Sequence, residues 1–222
     1  MDFMQAIRER HSVRSYKEKQ ITAEVREELE QWIAICNEES GLHIQACFEE
    51  PEAFQSLMAH YGNFKNVKNY IALVGKKGGD LEEKCGYYGE KIVLKAQQLG
   101  LNTCWVALTY SKGKTKCRIE RGEKLCVVIA MGYGETQGVP HKSKDLEDVV
   151  ATQGNMPEWF RKGAEAALLA PTAVNQQKFL IGMKNGEPMI KIAGKGFYTK
   201  VDLGIVKYHF EMASGHKVFH KQ

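Results

Sequence analysis

Apolar side chains recur along this chain with two periods, three-to-four residues in some stretches and short unbroken runs in others, the marks of amphipathic helices and of buried strands. Phe3, Met4 and Ile7 share one face over residues 2–9, with Asp2 placed to cap that helix. Over 22–37 the apolar set is Val25, Leu29, Trp32, Ile33 and Cys36, preceded by Thr22 as cap and with Glu24 in the first turn. The longest helical pattern, 80–99, gathers Tyr88, Ile92, Leu94, Ala96 and Leu99 and stops at Gly100, which predicts a central core helix. Further helices are predicted over 51–60, 145–150, 157–169 and 198–214, the last with Val201, Ile205, Tyr208, Phe210 and Met212 mostly inward and Gly215 as its stop. The runs 69–74 and 125–131 are short, apolar and closed by glycine, so they read as buried strands. Strands are also expected at 43–48, 101–107, 177–183, 189–193 and 217–220, with Asn185-Gly186 as a hairpin turn because both positions accept positive φ.

Composition narrows this picture. A chain of 222 residues with 43% hydrophobic content can bury one large or two modest cores. Its 31 basic and 27 acidic residues leave a formal charge of only +4, no footprint for nucleic acid or an anionic membrane. No stretch approaches the ~18 apolar residues of a membrane span, and the first residues lack a basic leader followed by an apolar core, so a cytoplasmic protein is expected. The six cysteines show no Cys-x-x-Cys spacing and are expected to be reduced and mostly buried. Neither they nor His209, His216 and His220 have the spacing of a metal site.

Candidate chemistry begins at Arg10-His11-Ser12-Val13-Arg14-Ser15-Tyr16. Two guanidinium forks four residues apart, with hydroxyls between them, suit the several oxygens of a phosphate monoester. A solvated basic turn is the alternative. Gly132-Tyr133-Gly134 resembles a fragment of a dinucleotide fingerprint, but it leads to Pro140 and a polar run rather than a helix, and that reading is discounted.

A second stretch, Ala170-Pro171-Thr172-Ala173-Val174-Asn175-Gln176-Gln177-Lys178, stands about 150 residues later. Together the two resemble the nitroreductase family of flavin enzymes. The family's Arg-x-Ser-x-Arg-x-aromatic segment is complete at Arg10, Ser12, Arg14 and Tyr16, and its Ala-Pro-Ser-x-x-Asn-x-Gln-Pro segment nearly so, with Thr172 for Ser and Lys178 for Pro. In the family the second follows the first closely; here it is displaced. Leu99-Gly100-Leu101-Asn102-Thr103-Cys104-Trp105 is similar to the family's Leu-Gly-Leu-Gly-x-x-Trp, with Asn102 in place of a glycine, a residue that also tolerates positive φ.

The resemblance implies an α+β nitroreductase-like fold, with a mixed or antiparallel sheet flanked by helices. A faint internal repeat accounts for the displaced motif. Residues 36–48 align with 167–179, and 89–105 with 203–219 at an offset of 114. Residues 1–150 then form a first half and 151–222 a shorter second half, one unit mimicking the family's usual homodimer. Each half keeps one complementary part of the site, so one flavin per chain is expected and a monomer is possible, the oligomeric state being left open.

By the same resemblance the cofactor is FMN, with NADH or NADPH as co-substrate and a small electron-poor acceptor such as a nitroaromatic or quinone. Arg10, Ser12 and Arg14 would hold phosphate and ribityl oxygens, with His11 nearby and Lys142 or Lys144 as further phosphate partners. The 141–144 cluster also reads as a solvated linker. Pro171, Thr172, Ala173 and Asn175 would line the ring, Gln177 would bond its polar edge, and the Val106, Ala107 and Leu108 backbone would face its N5 edge. Lys65 is a weaker candidate for the pyrimidine edge. No catalytic side chain is required. The alternatives are a non-catalytic flavin-binding or electron-buffering protein, and another flavin reaction on the same fold, such as dehalogenation, enoate or dehydropeptide oxidation, or flavin fragmentation.

Overall fold

The computed structural model describes residues 1–55, 61–151 and 156–219. Its elements follow in the order α1 (Phe3–Glu9), α2 (Ala23–Ser40), β1 (Gln45–Cys47), β2 (Asn69–Lys76), α3 (Leu81–Gln98), β3 (Asn102–Val106), β4 (Glu123–Gly132), α4 (Leu146–Val149), α5 (Glu158–Ala167), β5 (Phe179–Lys184), β6 (Glu187–Ile192) and α6 (Thr199–Ser214). The sequence signals act as caps and stops. Asp2 accepts from Gln5 N at 2.7 Å, Thr22 from Val25 N at 3.5 Å, and Gly41 and Gly215 close α2 and α6 in the left-handed conformation.

Four strands form one antiparallel sheet in the order β1-β2-β4-β3. Alternation along β2 and β4 divides the core in two. Ile71, Leu73, Val127, Ile129 and Met131 face a helical layer, while Tyr70, Ala72, Val74, Val128 and Ala130 face a smaller cluster with Phe54, Phe64 and Tyr110. β5 and β6 form a separate hairpin through Asn185 and Gly186, whose φ values are 53° and 82°. The first core cluster takes residues from both ends of the chain, from Ala6 to Val218.

α3 and α6 cross with almost nothing between them. A Cβ on Gly86 would overlap Val201 O, and a Cβ on Gly204 would overlap Glu83 O. The contact is reciprocal: 86 to 204 and 83 to 201 are both steps of 118 residues, one helical turn from the offset of 114 expected from sequence. The order helix, two antiparallel strands, helix occurs twice, as α2-β1-β2-α3 and as α5-β5-β6-α6.

Three expectations change. Residues 51–54 form a 3-10 turn, Pro51–Phe54, where the start of an α-helix is expected, and the rest of that helix, 56–60, lies outside the described residues. Residues 217–219 are not a strand, because Val218 N and Phe219 N donate to Glu211 Oε1 at 2.8 and 2.6 Å instead of to a neighbouring strand; His220 lies outside the described residues, as does the connection at 153–155. Asn102 does not take a positive φ, which falls at Gly100 (78°). It belongs to β3, where Oδ1 accepts from Gly134 N at 2.9 Å and Nδ2 donates to Gln137 at 3.0 Å.

Candidate functional site

Residues 10–16 leave α1 as an extended strip on the open edge of β3. Val13 N donates to Thr103 O at 3.0 Å, and on the other side Lys65 N donates to Arg14 O at 2.9 Å and Tyr16 N to Lys65 O at 3.1 Å. Val13 and Tyr16 are buried, whereas Ser12 and Arg14 are exposed and line one trough. Tyr16 seals the strip by donating its hydroxyl to Val13 O at 2.6 Å and packing on Gly132.

Three clefts of about 120, 400 and 300 Å³ meet along this trough, and Arg14 and Val174 line all of them. The smallest has an apolar floor of Val106, Ala107, Val127 and Ile205 beneath Pro171 and Thr172. The largest opens outward past Trp105, Leu108 and Phe197. The third is the most polar of the three, bounded by Arg10, His11, Ser12, His141 and Asn175 together with Pro140 and Pro171. The 10–14 and 171–175 segments, far apart in sequence, thus form two walls of one site.

Behind the polar end lies a buried charge cluster that sequence reading missed. Arg10 is 3% exposed and Glu90 and His209 are fully enclosed. Glu90 Oε1 lies 3.7 Å from Arg10 Nε and 2.9 Å from His209 Nε2, and its Oε2 accepts from Trp105 Nε1 at 2.9 Å. His209 Nδ1 lies 3.0 Å from Ala166 O. A carbonyl only accepts, so Nδ1 carries a hydrogen, and the contact between Nε2 and Glu90 needs a further proton on one partner or the other. Either way that pair is neutral as a unit, and Arg10 adds one positive charge. Burial pulls the Glu90 carboxyl upward, but His209, Arg10 and the Trp105 N–H outweigh it and hold it below the usual range. Burial lowers Arg10, with Glu90 opposing. Arg10 Nε and Nη1 have no hydrogen-bond partner among the described residues. Glu90 answers the charge of this cation at ion-pair distance without satisfying either donor, so its burial remains costly.

His11 and His141 line the same end, and burial followed by the charge of Arg10 lowers His11. The lysines do not join them. Lys144 Nζ donates to Gln177 O at 3.0 Å, and Lys142 contributes its carbonyl, which accepts from Asn175 Nδ2 at 2.8 Å; neither lines the clefts. Gln177, expected at a ligand edge, is 3% exposed and spends its amide inside the loop. Its Oε1 accepts from Lys144 N at 2.9 Å, and its Nε2 donates to Lys142 O at 3.0 Å and Asn175 Oδ1 at 2.9 Å. Lys65 serves through its backbone and also lines none of the three clefts. Asp202, unremarked in the sequence, lines the smallest cleft from the start of α6. Among the described residues no group of three or more His, Cys, Asp or Glu could hold a metal ion, and no helix is long and apolar enough to cross a membrane.

A family model described as "Putative TM nitroreductase" matches residues 2–214. Among solved structures, a nitroreductase from Thermotoga maritima is 24% identical over 100% of this chain and 90% of its own, with a TM-score of 0.70. A nitroreductase from Desulfovibrio desulfuricans, solved in complex with FMN, is 15% identical over 71% of this chain and 99% of its own, with a TM-score of 0.55. A Parabacteroides distasonis structure named as an NADH dehydrogenase/NAD(P)H nitroreductase is 16% identical over 66% and 95%, with a TM-score of 0.53. Comparison with curated proteins gives no match. These structural likenesses establish the nitroreductase-like α+β fold, and with the family match over nearly the whole length, this chain belongs to the nitroreductase family.

Proposed function

We propose that the protein is an FMN-dependent oxidoreductase that takes reducing equivalents from NADH or NADPH and passes them to a small electron-poor acceptor such as a nitroaromatic or quinone. The observation that carries this reading is the polarity of the trough. One end is lined by Arg10, His11, Ser12 and Arg14, and the other is an apolar slot beneath Pro171 and Thr172. A planar heterocycle with a phosphate tail has the same polarity, so the residues present fit the group.

Arg10, Ser12 and Arg14 would hold the phosphate and ribityl oxygens, with His11 and His141 at the same end. Pro171, Thr172, Ala173 and Asn175 would line the ring, and the Val106, Ala107 and Leu108 backbone would face its N5 edge. When bound, FMN supplies two-electron hydride chemistry that no side chain here can perform. The chain excludes water from the ring with the apolar floor and leaves the 400 Å³ cleft beside it as space for donor and acceptor in turn. That open space favours an enzyme over a storage protein.

The site would be complete in one chain. The reciprocal Gly86 and Gly204 contact and the repeated helix-strand-strand-helix order support two degenerate halves, 1–150 and 151–222, each lending one wall. The test is an anaerobic titration of FMN-loaded protein with NADPH, then NADH, normalised to flavin released per chain. Bleaching at about one flavin per chain is expected. Binding without bleaching by either nucleotide removes the NAD(P)H reductase, and failure of the folded chain to bind flavin removes the whole reading.

A further inference from the structure

Residues 173–177 carry an unusual amount of backbone strain. Val174 (φ 47°), Asn175 (54°) and Gln177 (44°) all lie in the left-handed region. Asparagine tolerates this; a β-branched valine does not, and its presence there is a genuine outlier. Val174 is also 91% exposed, so it gains nothing from burial. A residue that is both strained and solvated has to be held in place by its surroundings, and such positions cluster at functional sites.

The 142–144 loop holds the Asn175 and Gln177 side of this turn, and α6 holds the side of Ala173 and Gln176. Asp202 Oδ1 accepts from Ala173 N at 2.9 Å, and Oδ2 accepts at 2.6 Å from Gln176 Nε2, which also donates to Phe197 O at 2.7 Å. One carboxylate therefore grips the strained turn from both sides, once by backbone and once by side chain. Asp202 is itself buried, and burial raises its carboxyl to about 6 against the pull of those two hydrogen bonds. Carrying this carboxylate ionised at neutral pH is a net cost to the fold, which suits a group kept for its site. Val174, at the apex of the turn, lines all three clefts.

We propose that Asp202 is a positioning residue that holds the 173–177 turn in its strained form, so that Val174 overhangs the junction of the clefts as an apolar contact for the ligand placed there. Both carboxylate oxygens of Asp202 are taken by Ala173 N and Gln176 Nε2, so although it borders the smallest cleft it acts through those two residues. The inference goes beyond the flavin reading, and only its ligand arm depends on that reading.

The experiment compares wild type, Asp202→Asn, Val174→Gly and the double variant, by hydrogen exchange over 172–177 in flavin-free protein and by FMN affinity. Asparagine cannot accept from both donors, so Asp202→Asn is expected to speed exchange in this segment about tenfold, the scale of one net hydrogen bond. Glycine adopts positive φ freely, so Val174→Gly alone is expected to keep wild-type exchange while weakening FMN several-fold through the lost side chain. In the double variant Asp202→Asn then matters less, so the effects on exchange are not additive. Unchanged exchange in Asp202→Asn, additive effects in the double variant, or wild-type FMN affinity in Val174→Gly would each overturn the proposal. If Asp202→Asn does not fold, Gln176→Ala, which removes one of the two tethers, must show the faster exchange. If wild-type protein binds no FMN, the flavin reading fails while the exchange arm still decides the role of Asp202.

Discussion

Gly86 on α3 and Gly204 on α6 meet backbone to backbone, each occupying the space into which the other helix brings a carbonyl, Val201 O and Glu83 O respectively. No side chain fits there. This crossing joins the long helix of the first part of the chain to that of the second, and it fixes the distance between the walls carrying residues 10–14 and 171–177.

Either Gly86→Ala or Gly204→Ala should therefore be severe. The methyl group would meet backbone, which cannot rotate away, and the cost is expected at the upper end of overpacking, about 3 kcal/mol. Urea unfolding measures it. A loss under about 1 kcal/mol at both sites would mean that the helices part easily and the crossing does not set the site.

Arg10 has its guanidinium committed to a charge rather than to a shape, so its substitution should act on one end of the ligand. Arg10→Met is expected to weaken FMN by about 10- to 100-fold, the scale of charge-assisted hydrogen bonds, while changing riboflavin much less. The ratio of the two dissociation constants, from quenching of flavin fluorescence, is the readout. Equal losses for both ligands would place the phosphate elsewhere.

Asp202 sets a pH dependence with a definite sign. Its folded value of about 6 lies above the ordinary 3.8, so between those values the native chain keeps a proton that the unfolded chain releases. Stability should fall as pH rises through this window, by ~3 kcal/mol at most, and Asp202→Asn should flatten that slope. Arg14, Tyr198 and Cys104 line the same cleft, and none of them is a carboxylate that would mimic the effect. Glu90, held below its usual range, works the opposite way: its contribution is lost as pH falls through its lowered value. Denaturation midpoints of the two chains across pH 4 to 7 separate these contributions.

Asn102 braces the turn after β4 by accepting from Gly134 N and donating to Gln137. Asn102→Ala leaves a buried backbone N–H without its partner and should cost about 1–3 kcal/mol. Asn102→Gly, the residue suggested by the resemblance, should cost as much, because the position lies in an extended strand and does not need positive φ. Thermal unfolding of the two variants compares them. A glycine variant as stable as wild type would show that the amide does not brace the turn.

Local chemistry was readable where one residue decides the outcome within a few positions. Asp2 and Thr22 cap their helices, Gly215 ends the last one, and Asn185-Gly186 turns its hairpin, because each outcome depends on a hydrogen bond or a φ angle close by in sequence; the second helix, expected to stop near 37, runs on to Ser40 and is closed by Gly41. The residues at 10–14 and 171–175 were legible as motifs. The buried partners of that site were not. Glu90 and His209 are separated by 119 positions and look like ordinary helix residues until α3 and α6 cross. Lys142, Lys144 and Gln177 looked like ligand groups because their types suit anions and polar edges, yet the fold uses them to tie one loop to another.

Sequence alone determined most of the elements, several of their caps and stops, and two sets of chemistry-bearing residues, since these follow from periodicity and from bonds spanning a few residues. The tertiary structure decided which of those residues share a cleft, that two Arg10 nitrogens lack hydrogen-bond partners among the described residues beside a carboxylate already held by His209, and that the turn carrying Val174 is hydrogen-bonded to Asp202. Those properties depend on desolvation and on contacts between distant segments, and neither exists until the two long helices have packed.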